Sequence, residues 1–218
     1  MNERRDFPPD FQLVLASRSP RRHSLLCDVG MPFVVALSEA GESKRGGSAS
    51  ALAEANALAK VRGISMPAGV RQGAFILGTD TVVSVGRVVL GKPKSAAEAM
   101  EMLTALSGRT HRVVSGVALT RMAGAVVHEG REETRVASAV TRVTFERLES
   151  AQIEAYTASG EWRDKAGGYA IQGSAALFVR ELRGEYSNVV GLPLHLLYKL
   201  FRELGFDVVR REWLSEPV

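Results

Sequence analysis

The densest set of chemistry-bearing residues is Leu15-Ala16-Ser17-Arg18-Ser19-Pro20-Arg21-Arg22, with two small hydroxyls and three arginines in eight positions. Ser19 suits a helix N-cap and Pro20 the first helical position. A helix N-terminus exposes unpaired N–H groups and carries about half a positive charge. Arg21 and Arg22 in that first turn therefore oppose their own helix unless an anion sits beside them. A phosphate there gains N–H bonds, dipole attraction and guanidinium forks together. The plain alternative is two solvated arginines on a surface helix.

A second set is Gly78-Thr79-Asp80-Thr81, where a short apolar strand runs into a carboxylate flanked by hydroxyls. Asp80 at such a strand end can hold a divalent metal or take a proton from water. It can equally close an Asx turn on its own backbone. The run from Gly86 to Pro93 nearly spells a P-loop, but Pro93 stands where a magnesium-reaching Ser or Thr is required. Lys92 remains as a lone cation after a strand. The loop from Asp164 to Gly173 carries Lys165, adjacent glycines and Gln172. Glycines permit close backbone approach to a ligand, and a Gln amide can donate and accept along a nucleobase edge. Against that stands a structural turn with a surface Asp–Lys pair. Glu39 and Glu42 lie in a polar loop, ordinarily solvated, although carboxylates are what a magnesium site needs. Lys60 on an Ala-rich helix is ordinarily a surface charge. The four histidines show no metal spacing, and Cys27 beside Leu26 suits a core position.

The elements that must position these groups follow from apolar patterning. Phe11–Ala16, Met31–Leu37, Phe75–Leu77, Thr81–Val85, Val88–Leu90, His111–Leu119, Val136–Phe145 and Ala175–Arg180 predict strands. Helices are predicted from Pro20 to about Gly30, over Ser50–Val61, from Ser95 to Gly108, over Glu149–Ala158 and over Pro193–Leu204. Ser95 and Glu98 spell a capping box. Several strands are joined by short turns, residues 120–130 among them, which argues an α/β architecture with a mixed, largely antiparallel sheet flanked by helices.

The chain of 218 residues is long enough for one generous domain with its own core, and ordinary hydrophobic (45%) and charged (24%) fractions exclude global disorder. One cysteine excludes an intrachain disulfide framework and a Cys-based zinc site. No apolar run suits a membrane helix, and the polar N-terminus lacks a signal core, so no membrane partner and a reducing, cytoplasmic setting are expected. The net charge of +4 is dispersed rather than gathered in basic runs, which argues for a small anionic ligand and against nucleic acid.

The segments 15–26 (LASRSPRRHSLL), 38–42 (SEAGE), 77–83 (LGTDTVV), 90–93 (LGKP), 106–119 (LSGRTHRVVSGVAL), 164–173 (DKAGGYAIQG) and 188–194 (NVVGLPL) together resemble the Maf family of nucleoside triphosphate pyrophosphatases. They occur in that family's order. Thr79 stands where the family more often has Ala. The resemblance implies a fold related to inosine triphosphate pyrophosphatases, with a long mixed sheet and two lobes around a central cleft. It implies one catalytic domain over residues 11–204, a tail at 1–10 and an extension at 205–218. It further implies cleavage between the α and β phosphates, giving a nucleoside monophosphate and pyrophosphate. The form of segment 164–173 resembles the branch acting on dTTP and UTP, and the family's older name links it to septum formation. Asp80 would activate water, with a divalent cation (Mg2+ or Mn2+) held by Asp80 and Glu39. Ser17, Arg21, Arg22, Lys60, Lys92 and Lys165 would bind substrate, and Thr81 and Gln172 match positions tied to base choice. A homodimer is one assembly this allows. The competing expectations are a pyrophosphatase for modified or purine nucleotides, and a non-catalytic nucleotide-binding regulator of septation.

Overall fold

A computed structural model describes residues 6–43, 47–123 and 132–217. Its centre is a seven-stranded sheet in the order β2 (Val34–Val35), β1 (Leu13–Leu15), β3 (Phe75–Val85), β5 (Thr110–Arg121), β6 (Glu133–Phe145) and β7 (Val179–Arg183), with β4 (Val88–Leu90) paired to β3 as a hairpin. β1 lies parallel to β2 and β3, and the remaining pairs are antiparallel. The sheet is thus mixed and largely antiparallel, as the patterning predicts. The helices are α1 (Pro20–Asp28), α2 (Ala49–Arg62), α3 (Ala96–Leu106), α4 (Ser150–Ser159), α5 (Tyr186–Val190) and α6 (Leu194–Glu203). No helix among the described residues is long and apolar enough to cross a membrane.

Side chains of a strand alternate between faces, and this divides the core. On one face Ile76, Val82, Val114 and Ala118 pack beneath α2 through its Leu52, Ala53, Ala57 and Val61. On the other, Phe75, Leu77, Val83, Val113, Val117 and Leu119 join α1, α3, α4 and α6 in the main core. Two glycines let α2 lie directly on the sheet. A Cβ on Gly78 would stand 2.3 Å from the Ala57 carbonyl oxygen, and one on Gly116 would stand 2.3 Å from that of Ala53.

Several local expectations change. Asp80 does not end a strand: β3 runs unbroken from Phe75 to Val85, and Asp80 sits mid-strand opposite Gly116 of β5. The ladder holds Gly78-Thr79-Asp80 extended, so no Asx turn forms there. The predicted strand at Ala175–Arg180 is instead a 3-10 turn at Ser174–Phe178 followed by β7. Ser95 Oγ accepts from the Glu98 N–H, but the Glu98 carboxylate reaches the N–H of Lys94 rather than that of the N-cap. The predicted turn over 120–130 lies largely outside the described residues.

The last residues fold back onto the core. β8 (Phe206–Asp207) and β9 (Glu212–Trp213) form a small hairpin. Phe206 is fully buried, with its ring centroid 4.6 Å from that of Phe11 and 4.8 Å from that of Trp213. Trp213 stacks on Phe75 and donates to the Asp10 carboxylate at 2.9 Å, so the β8–β9 hairpin meets the segment that leads into β1.

Candidate active site

A cavity of about 540 Å3 opens where the end of β1, the first turn of α1, mid-β3, the 164–172 loop and α5 converge. Ser17, Arg21, Arg22, Lys60, Asp80, Thr81, Lys92, Lys165 and Gln172 all line it. Five segments far apart in sequence therefore present their polar groups to one space.

Asp80 is buried beneath α2. Lys60 Nζ donates to its Oδ1 at 2.7 Å, and Asn56 Nδ2 donates to its Oδ2 at 2.9 Å. Asn56 and Lys60 stand four residues apart on α2, on one helix face, and the two glycine contacts bring that face within reach. Lys60 Nζ also donates to Glu42 Oε1 at 2.8 Å, and Lys92 Nζ stands 3.5 Å from Glu42 Oε2. Burial pushes the Glu42 carboxyl up, but the hydrogen bond and charge of Lys60, with Lys92, outweigh it and bring its pKa to about 2. Asn56 exchanges two further bonds with the Ser43 backbone and so anchors the segment carrying Glu42.

Across the cavity the cations lack carboxylate partners. Arg22 donates from Nε to the Gly191 carbonyl at 2.9 Å, from Nη1 to Ser17 Oγ at 3.1 Å and from Nη2 to Thr81 Oγ1 at 3.3 Å. Burial lowers its pKa to about 10, opposed by the charge of Asp80, so the guanidinium remains charged at neutral pH. Arg21 donates to the Val190 carbonyl at 3.3 Å, and Lys165 Nζ to that of Arg163 at 2.9 Å. Burial also pushes both of these cations down. Among the described residues none of the three forms an ion pair. Desolvated cations bound only to neutral acceptors are what an anion site requires.

A sequence model of the family described as Maf-like protein matches residues 12–204. The chain belongs to the Maf family. It is 46% identical over 198 residues to a dTTP/UTP pyrophosphatase of Symbiobacterium thermophilum, covering 90% of this chain and 96% of that one. A dTTP/UTP pyrophosphatase of Moorella thermoacetica is 48% identical over the same length, covering 90% and 97%. One from Bradyrhizobium diazoefficiens is 43% identical over 210 residues, covering 94% and 96%.

The structure does not bring every expected residue of this Maf chain together. Glu39 is exposed and outside the cavity lining, with its backbone N–H bonded to the Gly63 carbonyl. Glu42, three residues on, is the acid of that loop that reaches Lys60 and the cavity. Spacing alone does not choose between two glutamates in an irregular loop; Asn56, by gripping Ser43, does. Lys60 is no free cation, because it bridges two carboxylates. The glycines of the 164–173 loop serve packing: Gly167, at φ +71°, lies where a Cβ would meet Val83 at 3.0 Å, and its N–H bonds to Gly91. Asn56 lies outside every motif segment, and Ser115 and the short helix α5, although they fall in segments 106–119 and 188–194, carry no local mark of a role. Only their contacts with Asp80, Thr81 and Arg22 reveal them.

Among the described residues no group of three or more His, Cys, Asp or Glu is placed to hold a metal. The neighbouring carboxylates of Asp80 and Glu42 do suit magnesium, which typically takes one or two carboxylates and completes its shell with water and substrate phosphates.

Proposed function

We propose that this chain hydrolyses nucleoside triphosphates, dTTP and UTP foremost, to the monophosphate and pyrophosphate. The supporting observation is the opposition of a tethered carboxylate, Asp80, to the guanidinium of Arg22, bound only to neutral acceptors. A triphosphate supplies the missing negative charge. The relatives' printed activity is the same reaction class.

In the proposed reaction a water oxygen attacks the α-phosphorus and the α–β anhydride P–O bond breaks. Pyrophosphate leaves with the bridging oxygen, and the water proton passes to Asp80. Lys60 and Asn56 hold both Asp80 oxygens, which fixes the carboxylate plane. Arg21, Arg22, Lys92 and Lys165 bind and orient the phosphates, with Ser17 steadying Arg22. Gln172, exposed at the rim, reads the base edge. Asp80 and Glu42 would hold a Mg2+ or Mn2+ ion jointly with the phosphates, which would offset charge on them.

The test is pyrophosphate release from dTTP, UTP, CTP, GTP and ITP, with and without magnesium, for the parent and Asp80→Asn. The expected result is a preference for dTTP and UTP, with turnover lowered ~10²–10⁴-fold in Asp80→Asn while nucleotide binding persists. Preference for ITP or GTP would instead favour the purine reading. Binding without any release of pyrophosphate by the parent would make the chain a nucleotide-binding regulator rather than an enzyme.

A further inference from the structure

Thr81 and Ser115 face each other across β3 and β5, with their hydroxyl oxygens 2.8 Å apart. Either hydroxyl could donate in that pair taken alone, but its neighbours fix the direction. Ser115 is fully buried, and its Oγ lies 3.1 Å from the backbone carbonyl oxygen of Asn188. A carbonyl oxygen only accepts, so the single Ser115 proton is committed to it. Ser115 must then accept from Thr81. The other acceptor near Thr81, the Gly191 carbonyl at 3.5 Å, is more distant and already receives Arg22 Nε at 2.9 Å. The result is a chain running one way: Arg22 Nη2 to Thr81, Thr81 to Ser115, Ser115 to Asn188.

With its proton spent inward, Thr81 presents only lone pairs to the cavity it lines. Arg22 occupies one, and the other can meet only a hydrogen-bond donor. An ionised triphosphate has no donor to offer there, so the group seated against Thr81 belongs to the nucleoside: a base N–H or a sugar hydroxyl. Uracil and thymine carry a donor at N3, whereas cytosine carries an acceptor at that atom.

We infer that Ser115 is a positioning residue that sets substrate specificity by holding Thr81 as an obligate acceptor toward a donor on the nucleoside. This rests on the nucleotide reading of the cavity. Ser115→Ala frees the Thr81 proton to point into the cavity, so a donor and an acceptor on the ligand are then received alike. Ser115→Thr keeps the hydroxyl and the direction of the chain.

The experiment measures dissociation constants by calorimetry in the Asp80→Asn background, so that binding is read without turnover. The ligands are UTP, CTP, dUTP and 2′,3′-dideoxy-UTP. The parent background should prefer the donor-bearing ligand, and Ser115→Ala should narrow that preference ~5-fold or more, with Ser115→Thr retaining it. Narrowing of the UTP-to-CTP ratio assigns the donor to the base, and narrowing of UTP against the deoxy ligands assigns it to the sugar. Thr81→Val, a near-isostere, should abolish the same preference and serves if the Ser115 variants do not fold. A parent background with no donor preference overturns the inference. So does a preference that survives Ser115→Ala or Thr81→Val, because a merely structural Ser115 would weaken all ligands equally. Failure of the pyrophosphatase reading would appear separately, as absence of pyrophosphate release by the parent.

Discussion

Removing a guanidinium from water costs several kcal/mol unless opposite charge is returned to it, and Arg22 is hydrogen-bonded only to the neutral groups of Gly191, Ser17 and Thr81, with the Asp80 charge offsetting its burial only in part. Its partners aim the fork without neutralising it, so the free chain keeps an electrostatic demand that a polyphosphate meets. A ligand that binds only the folded state stabilises it by about 2.7 kcal/mol at a hundredfold excess over its dissociation constant. Inorganic tripolyphosphate should therefore raise the thermal midpoint of the parent by several degrees, and Arg22→Met should lose most of that shift. An equal shift in both, followed by scanning calorimetry, would mean that Arg22 serves the fold and not the ligand. Asp80 carries the complementary lesson. Its carboxylate has both oxygens bonded from α2, so its orientation is set before substrate arrives.

At the scale of elements, the site depends on how closely α2 lies on β3 and β5. Helices normally ride above a sheet on side chains; here backbone meets backbone at Gly78 and Gly116. That approach brings Asn56 and Lys60 down to Asp80 in mid-strand. Gly116→Ala places a methyl against the Ala53 carbonyl and must lift the helix. Such overpacking typically costs 1–3 kcal/mol, but the larger effect falls on activity, since the Asn56 and Lys60 bonds lengthen together. The expected outcome is a fall in kcat well beyond what the lowered denaturation midpoint accounts for, with KM little changed. A stability loss with kcat intact would show that the helix approach does not matter to the carboxylate.

For the molecule as a whole, the matched family region ends at residue 204, yet the core does not. Phe206 is fully buried among Phe7, Phe11, Phe75, Phe201 and Trp213, and the Arg121 guanidinium lies 4.3 Å from the Trp213 ring while its Nη1 bonds the Leu204 carbonyl. This cluster closes the end of the sheet where β1 and β3 begin. Phe206→Ala should cost about 3–5 kcal/mol in chemical denaturation, with the kinetic constants of the surviving folded fraction unchanged because the cavity lies away from it. A cost below 1 kcal/mol would make the hairpin an accessory.

The sequence by itself determined the alternation of strands and helices, the mixed sheet, and the charged groups that cluster in the cavity, such as Arg21, Arg22 and Asp80. Apolar periodicity and small runs such as Ser17 to Arg22 are local properties, and they survive in the chain as read. Tertiary structure alone decided where Asp80 sits, which glutamate of the 38–43 loop joins it, and what Lys60 does. The apolar run breaks at Gly78 and Thr79, which marks Asp80 as a strand end in the sequence, whereas pairing with β5 makes the strand continuous through all three. Glu39 and Glu42 are chemically equal in the sequence, and only the Asn56 grip on Ser43 separates them. The direction of the Thr81–Ser115–Asn188 chain is likewise a property of the tertiary structure. It depends on a carbonyl oxygen 73 positions from Ser115, placed there by the turn of α5 against the sheet. Hydrogen-bond partners so far apart in sequence leave no periodic mark, because what selects them is the fold's geometry and not their neighbours in the chain.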